Sequence, residues 1–178
     1  MFESIELDAD ELLVLARADL EHGRSDRALI KFKAGLARQD APPAFVVEAA
    51  KLYAQLGLRA KALVLFERYL RQQPDDLDAQ FQIGMLRFES GEIGDALKMW
   101  SRVLSRDPLY PPALFYGAIA YAESERIEEA ASLLKTLLGN VAADNLYFGR
   151  ARDLLPKFEG KSAGSGRPDV SDAYKIEH

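Results

Sequence analysis

The stretch GEIGDALKMW, Gly91 to Trp100, closes one apolar-periodic segment, turns at its first glycine and opens another. The same phrase occurs with Gly57, Ala62 and Phe66, and earlier with Gly23, Ala28 and Phe32. The step from Gly23 to Gly57 is 34 residues, and Gly57 to Gly91 is 34 again. Ala28, Ala62, Ala96 and Ala130 keep that step, as do Phe32, Phe66, Trp100 and Leu134, and Pro74 with Pro108. A fixed period of this length marks an internal repeat, in which each unit buries its apolar face against the next.

Inside each repeat the period is helical. In the third, Ala96, Trp100, Val103 and Leu104 form one apolar side, and strand alternation is absent. The spacing predicts helix pairs over about 9–22 with 25–39, 43–56 with 59–72, 77–90 with 93–106, and 111–124 with 127–139. Gly23, Gly57 and Gly91 fall where a first helix ends, a place that favours a left-handed backbone. Glu125 takes that place in the fourth repeat, so its turn is expected to close another way or its helix to run longer. Pro74 and Pro108 mark the joins between repeats. Pro42–Pro43 and Pro111–Pro112 fit a helix start, where a missing N–H costs least. Asp8 and Glu11 read as a capping box for the first helix.

The alanines at the 34-residue step are expected where the two helices of a pair come closest. Ala16, Ala50, Gly84 and Ala118 serve that purpose on the first helices, and the rings fill the space beside them. Tyr147, Ala151, Leu154 and Phe158 form a stripe on one more helix, near 143–158, that would cap the array. The expected organisation is a flexible acidic leader over 1–8, repeats over 9–42, 43–76, 77–110 and 111–142, the cap, and a disordered tail over 159–178.

Composition narrows the function. The chain has no cysteine and only His22 and His178, which removes thiol chemistry and leaves little for histidine-based sites. The net charge of −5 is carried by the first eleven residues, because the remaining 23 acids and 23 bases cancel. A neutral body offers no field for a phosphate backbone, so no nucleic-acid partner is expected. No secretory signal and no apolar run near 18 residues is present, which predicts a cytoplasmic chain without direct membrane insertion. Asp75, Asp76 and Asp78 lack the spacing of a calcium loop and read as helix-start residues. Glu128–Glu129 also begin a helix, suiting its positive end. His22 reads as a solvated helix end. No enzymatic role, catalytic residue, cofactor or metal is expected.

These residues resemble the tetratricopeptide repeat family. The second repeat offers Ala49–Ala50, Tyr53, Gly57, Ala62, Phe66, Tyr69 and Pro74. The third offers Ile83–Gly84, Gly91, Ala96, Trp100, Val103 and Pro108. The fourth offers Gly117–Ala118, Tyr121, Ala130 and Leu134, and the first Leu15–Ala16, Gly23, Ala28, Phe32 and Gly35. Asp19 and Arg87 stand where the family favours tyrosine, and the opening tryptophan is absent. The resemblance implies an all-α fold: a right-handed superhelix of four helix pairs plus a C-terminal capping helix. It also implies a concave side, lined by the first helices, that takes a peptide or a partner protein.

By register, Leu13, Arg17, Val47, Lys51, Phe81, Gln82, Met85, Phe88, Phe115, Tyr116 and Ile119 face that side, with Glu89 and Glu123 as an acidic rim. Phe81, Met85, Phe88, Phe115 and Ile119 are expected to form an exposed apolar floor, with Tyr116 at its edge. A partner's apolar helix or extended segment, carrying a base for the rim, is the natural guest. The alternative is a structural subunit that builds a homo-oligomer or larger assembly through the same surface. The floor could also be covered by the chain's own last helix. The carboxylate clamp of chaperone-binding relatives is not expected: Leu13, Arg17, Glu48, Lys51, Asp78 and Gln82 stand in its slots, of which only Arg17 and Lys51 suit a carboxylate while Glu48 and Asp78 would repel one.

Overall fold

The structure, a computed structural model, describes residues 7–38, 41–159 and 170. Among them are nine α-helices and no strand. In chain order these are α1 (Ala9–Glu21), α2 (Ser25–Leu36), α3 (Pro43–Gln55), α4 (Arg59–Leu70), α5 (Leu77–Glu89), α6 (Ile93–Arg106), α7 (Pro111–Glu123), α8 (Ile127–Asn140) and α9 (Leu146–Glu159). Contacts divide the chain into two compact units, Met1–Ala79 and Gln80–His178. The boundary falls inside α5, most of which belongs to the second unit.

In the first unit, α1 pairs with α2 and α3 with α4, and α3 also packs on α2 and α1. Asp8 caps α1: its Oδ1 accepts from the Glu11 N–H at 2.8 Å, and Glu11 Oε2 accepts from the Asp8 N–H at 2.8 Å. Two orphan donors are satisfied reciprocally, as the spacing predicts. Leu7, in the leader, packs against the core, and its carbonyl accepts from Arg38 Nη1 at 2.8 Å. The rest of the leader, residues 1–6, lies outside the described residues. Phe32 and Phe45 meet edge to face at 5.2 Å in the middle of this core. Gly35 lets them do so: a Cβ there would stand 2.1 Å from Phe45 Cζ.

In the second unit, α7 packs on α6 and α8, and α9 packs on α8 and reaches α7. Trp100 is buried and donates from Nε1 to the Phe81 carbonyl at 3.2 Å. Its indole lies over Gly84, where a Cβ would come within 2.2 Å of Nε1. Ala151, Leu154 and Phe158 of α9 are buried and Tyr147 is half-buried, so the stripe faces inward. Lys135 Nζ reaches Glu159 Oε1 at 2.8 Å across α8 and α9.

The small residues sit where the register puts them. Ala28, Ala62, Ala96 and Ala130 are fully buried, as are Ala16, Ala50 and Ala118. All four turns inside the pairs close with the same bond, from the residue after the left-handed position back to the residue five before: Arg24 to Asp19, Leu58 to Tyr53, Glu92 to Arg87 and Arg126 to Tyr121, each at 2.8–2.9 Å. The expectation for the fourth turn is therefore corrected. Glu125 takes φ 61°, beside 70°, 71° and 79° at the three glycines. The bond pattern and the packing on either side hold a non-glycine residue in a conformation that costs roughly 1–2 kcal/mol.

Two residues of the expected tail are described. Glu159 belongs to α9, and Val170 is buried at 4% exposure. The remainder of 159–178 lies outside the described residues.

Candidate partner-binding surface

One register column shows how the repeats specialise. Position 19 and its equivalents 53, 87 and 121 each meet a charge on the following turn or helix. Asp19 accepts from Arg24 Nε at 2.8 Å and from Lys31 Nζ. Lys61 stands 5.8 Å over the Tyr53 ring, and the Arg126 guanidinium 4.4 Å over Tyr121. Arg87 Nη1 donates to Glu92 Oε2 at 2.5 Å. Tyrosine and its charged replacements thus perform one task, tying the first helix to the second. The Lys31 hydrogen bond holds the Asp19 carboxyl below its ordinary value against the opposing effect of burial, with Arg24 adding to the lowering.

The thirteen residues expected to face a partner fall into two sets. In the first unit, Leu13 is buried in the core with Leu12, Ala16 and Phe45. The expectation that it faces a groove is corrected, because the turn of α1 points it at α3. Arg17 is exposed but engaged: Nε donates to Glu48 Oε1 at 2.9 Å and Oε2 at 3.0 Å, and Nη2 also meets Oε1. This bidentate pair bridges α1 and α3 and raises the Arg17 pKa through the hydrogen bond and charge of Glu48. Val47 is half-buried and Lys51 exposed. The face of this unit is thus mainly polar.

The second unit carries the apolar set, and here the expected exposure is corrected. Phe115 and Ile119 are 0% exposed, and Tyr116, Phe81 and Phe88 are buried. The reason is a continuous stack of rings. Phe81 lies 6.0 Å from Trp100 and 5.8 Å from both Tyr110 and Tyr116, and Phe88 lies 5.8 Å from Trp100. Phe115 and Tyr116 then meet Tyr147 of α9 at 5.6 and 6.2 Å. The last helix therefore covers part of the floor. Met85, Gln82 and Glu123 remain half-buried and Glu89 exposed.

Tyr147 and Arg150 were not among the expected face residues. Their signal lay in the register, since α9 stands where a fifth repeat's first helix would stand. Burial raises the pKa of Tyr116, Tyr147 adds to this, and Arg150 opposes it. Burial likewise raises Tyr147, with Arg150 opposing. Both phenols stay neutral near pH 7, so this surface is ring faces with one guanidinium beside them.

Among the described residues, no group of acids and histidines could hold a metal ion, and no helix is long and apolar enough to cross a membrane. His22 is exposed at the end of α1, its Nδ1 2.6 Å from the Ala18 carbonyl. Asp76 Oδ1 accepts from the Ala79 N–H at 2.9 Å at the start of α5, and Oδ2 accepts from the Tyr69 hydroxyl at 2.6 Å. That bond pushes the Tyr69 pKa up to about 12.

Helix pairs at a 34-residue step, closed by identical turns and presenting first-helix faces, define a helical-repeat protein of the kind that holds protein or peptide partners. The chain belongs to the tetratricopeptide repeat family: the family's model matches residues 13–77 and again 81–145. Among curated proteins none matches the sequence significantly. Among solved structures, a tetratricopeptide repeat protein from Parabacteroides merdae ATCC 43184 is similar at 19% identity and TM-score 0.74, over 85% of this chain and 60% of that one. The chain thus spans less than two thirds of that relative. YrrB, described as a TPR protein with an unusual peptide-binding site, is similar at 20% identity and TM-score 0.72, over 82% of this chain and 75% of its own. The MamA 41-end structure from Desulfovibrio magneticus RS-1 is similar at 17% identity and TM-score 0.71, over 88% and 92%. These likenesses show the fold, an all-α tetratricopeptide solenoid.

Proposed function

We propose that this chain is a non-enzymatic adaptor that holds an apolar segment of a partner protein on the first-helix face of its second unit. The observation that carries the reading is α7. Ala113 through Ala120 are buried without interruption, so the helix is apolar on every side. Pairing with α8 and stacking on α6 account for part of its circumference. A helix that is apolar all round is covered all round, and α9 completes the cover. Tyr147 supplies part of that cover, and the half-buried Met85 and Gln82 are where a guest would bury further surface. Aromatic and methionine surfaces suit such a role because they bury much area with little loss of rotamer freedom and adapt to different guests. The acidic residues Glu89 and Glu123 favour a guest with a basic flank. YrrB, with its peptide-binding site, has the same fold and lends this reading support by analogy alone.

The test is a random-peptide selection on the immobilised full chain, run beside a Met85→Glu variant with equal helicity by circular dichroism. Met85 is half-buried, so the fold tolerates the charge better than at Phe115. The expected outcome is an enriched apolar consensus with a neighbouring Lys or Arg, whose binding falls at least about tenfold in the variant, the effect of one lost anchor. Enrichment indifferent to Met85→Glu, or none, would refute the reading.

A further inference from the structure

We infer that the chain associates with a second copy of itself through its first unit: the acidic ridge of α1 in one copy lies along the basic ridge of α4 in the other. The inference stands apart from the adaptor reading, since it uses neither the ring stack nor Met85.

The charge of the second helices is divided unevenly between the units. Residues 24–38 and 58–72, which hold α2 and α4, carry nine bases and two acids. The equivalent stretches 92–106 and 126–140 carry five bases and four acids. Exposed apolar side chains are divided the same way. Val64 of α4 is 62% exposed, and Ile30, one repeat earlier, 67%. Their equivalents in α6 and α8 are Lys98 and Ser132, the polar choice usual at an outward position. Lys61, one turn before Val64, is exposed. Its equivalents Asp95 and Glu129 are acids, tied to Lys98 and Arg126. The first unit therefore presents outward aliphatics in a positive field, and the second does not repeat the pattern.

The complement to this ridge is on the same chain. Residues 8–21, which hold α1, carry five acids and one base, and that base, Arg17, is held by Glu48. Val14 is 63% exposed. Exposed Asp10 and Glu11 lie one turn before it, and exposed Glu21 lies seven residues after it. On α4, Lys61 lies three residues before Val64 and exposed Arg71 seven after it. Glu11, Val14 and Glu21 thus repeat the spacing of Lys61, Val64 and Arg71. At 3.6 residues per turn each set falls within about a quarter of the helix circumference, and each valine stands about 10 Å from its distal charge. Laid side by side in parallel, the two ridges bring valine to valine and an acid to a base at both ends. An antiparallel alignment with the valines in contact matches neither end. The apolar contact supplies burial, and the flanking pairs fix partner, direction and register, as they do along a coiled-coil seam. A second copy meets this spacing requirement without further assumption.

The two surfaces differ, so the contact is heterologous and each surface can be disabled separately. Sedimentation velocity of the full chain, at about 50 mM salt and from about 5 to about 500 µM, tests the inference. The weight-average mass is expected to rise with concentration above the 19.8 kDa of one chain. Two variants reverse one surface each: Asp10→Lys with Glu21→Lys, which leaves the capping box of Glu11 in place, and Lys61→Glu with Arg71→Glu. Each, at wild-type helicity, is expected to associate at least about tenfold more weakly than the wild type. Their equimolar mixture is expected to associate again, because each retains the surface the other has lost. Val64→Ser is expected to weaken association at unchanged charge. Should a reversal lower helicity, Asp10→Asn with Glu21→Gln and Lys61→Gln with Arg71→Gln take its place, with weakened association as the expected result. A wild-type mass of 19.8 kDa at every concentration overturns the inference. So does association that the substitutions leave unchanged. A mixture of the folded reversal variants that stays monomeric also overturns it, and leaves the basic ridge to a different acidic partner. Peptide selection on Met85 succeeds or fails independently of all these outcomes.

Discussion

Glycine serves two different purposes in this chain, and single substitutions separate them. Gly23 has nothing within 4 Å of where a Cβ would stand, yet its φ is 70°. Gly23→Ala is therefore expected to cost only the left-handed backbone penalty, about 1–2 kcal/mol. Gly84 is helical, and its Cβ would fall 2.2 Å from Trp100 Nε1. Gly84→Ala gains about 0.8–1 kcal/mol of helix propensity, but overpacking against a buried indole bonded to the Phe81 carbonyl costs about 1–3, and the loss prevails. Glu125→Gly runs the other way. It relieves roughly 1–2 kcal/mol of backbone strain and gives back about 0.4–1 through a looser unfolded chain. The expected change lies between about zero and about 1.6 kcal/mol of stabilisation. Urea denaturation of the three variants checks all of these. Gly84→Ala at or above wild-type stability would mean the indole has room to shift. A destabilised Glu125→Gly would mean that its side chain contributes more than its backbone costs.

At the scale of the element, the helix pairs were legible because two independent patterns agreed: apolar spacing inside each helix and the 34-residue step between them. The alanine and ring positions fell in the packed interior, and the repeat glycines fell on the left-handed turn residues. The closure at Glu125 was not legible, because a sequence does not reveal when the bonds on either side of a turn outweigh its strain. The buried role of Asp19 was also hidden, since its partners Arg24 and Lys31 come from the turn and the next helix. That cluster carries a pH prediction. The folded pKa of Asp19 is depressed below its ordinary 3.8, so its contribution is fully present above the unfolded value and is lost as pH falls through the folded one. The difference in urea midpoint between wild type and Asp19→Asn is expected to be constant from pH 7 to about 5. Below about pH 4 it should shrink. A difference that persists undiminished at about pH 2 would assign the effect to packing instead of charge. Trp100→Ala tests the same scale in the second unit. With the indole 1% exposed and its N–H engaged by Phe81, the loss should be about 3–5 kcal/mol, read by thermal melting of the helical circular dichroism signal.

At the scale of the whole molecule, the register misjudged how wet the first-helix faces are, and it set on a face a leucine, Leu13, that lies in the core. Phe115 and Ile119 looked exposed because a repeat alignment treats every first helix alike. Burial depends on the next element along the chain: Tyr147 of α9 lies over the fourth repeat, while Lys51 in the second stays exposed. The two units therefore offer different surfaces. In the first, Arg17 is held by Glu48, and any guest must displace a bidentate ion pair to use it. In the second, the half-buried Met85 beside the ring stack rewards an apolar guest. A peptide selected for apolar character is accordingly expected to shift the Met85 methyl and Gln82 amide signals in a two-dimensional NMR titration, and to leave Lys51 and the Arg17 side chain where they were. Raising the salt from about 50 to about 500 mM should weaken that binding only a few-fold, because burial carries it and the acidic rim adds a screened increment. Shifts confined to Arg17 and Lys51, with affinity collapsing in salt, would move the partner site to the first unit and make its recognition electrostatic.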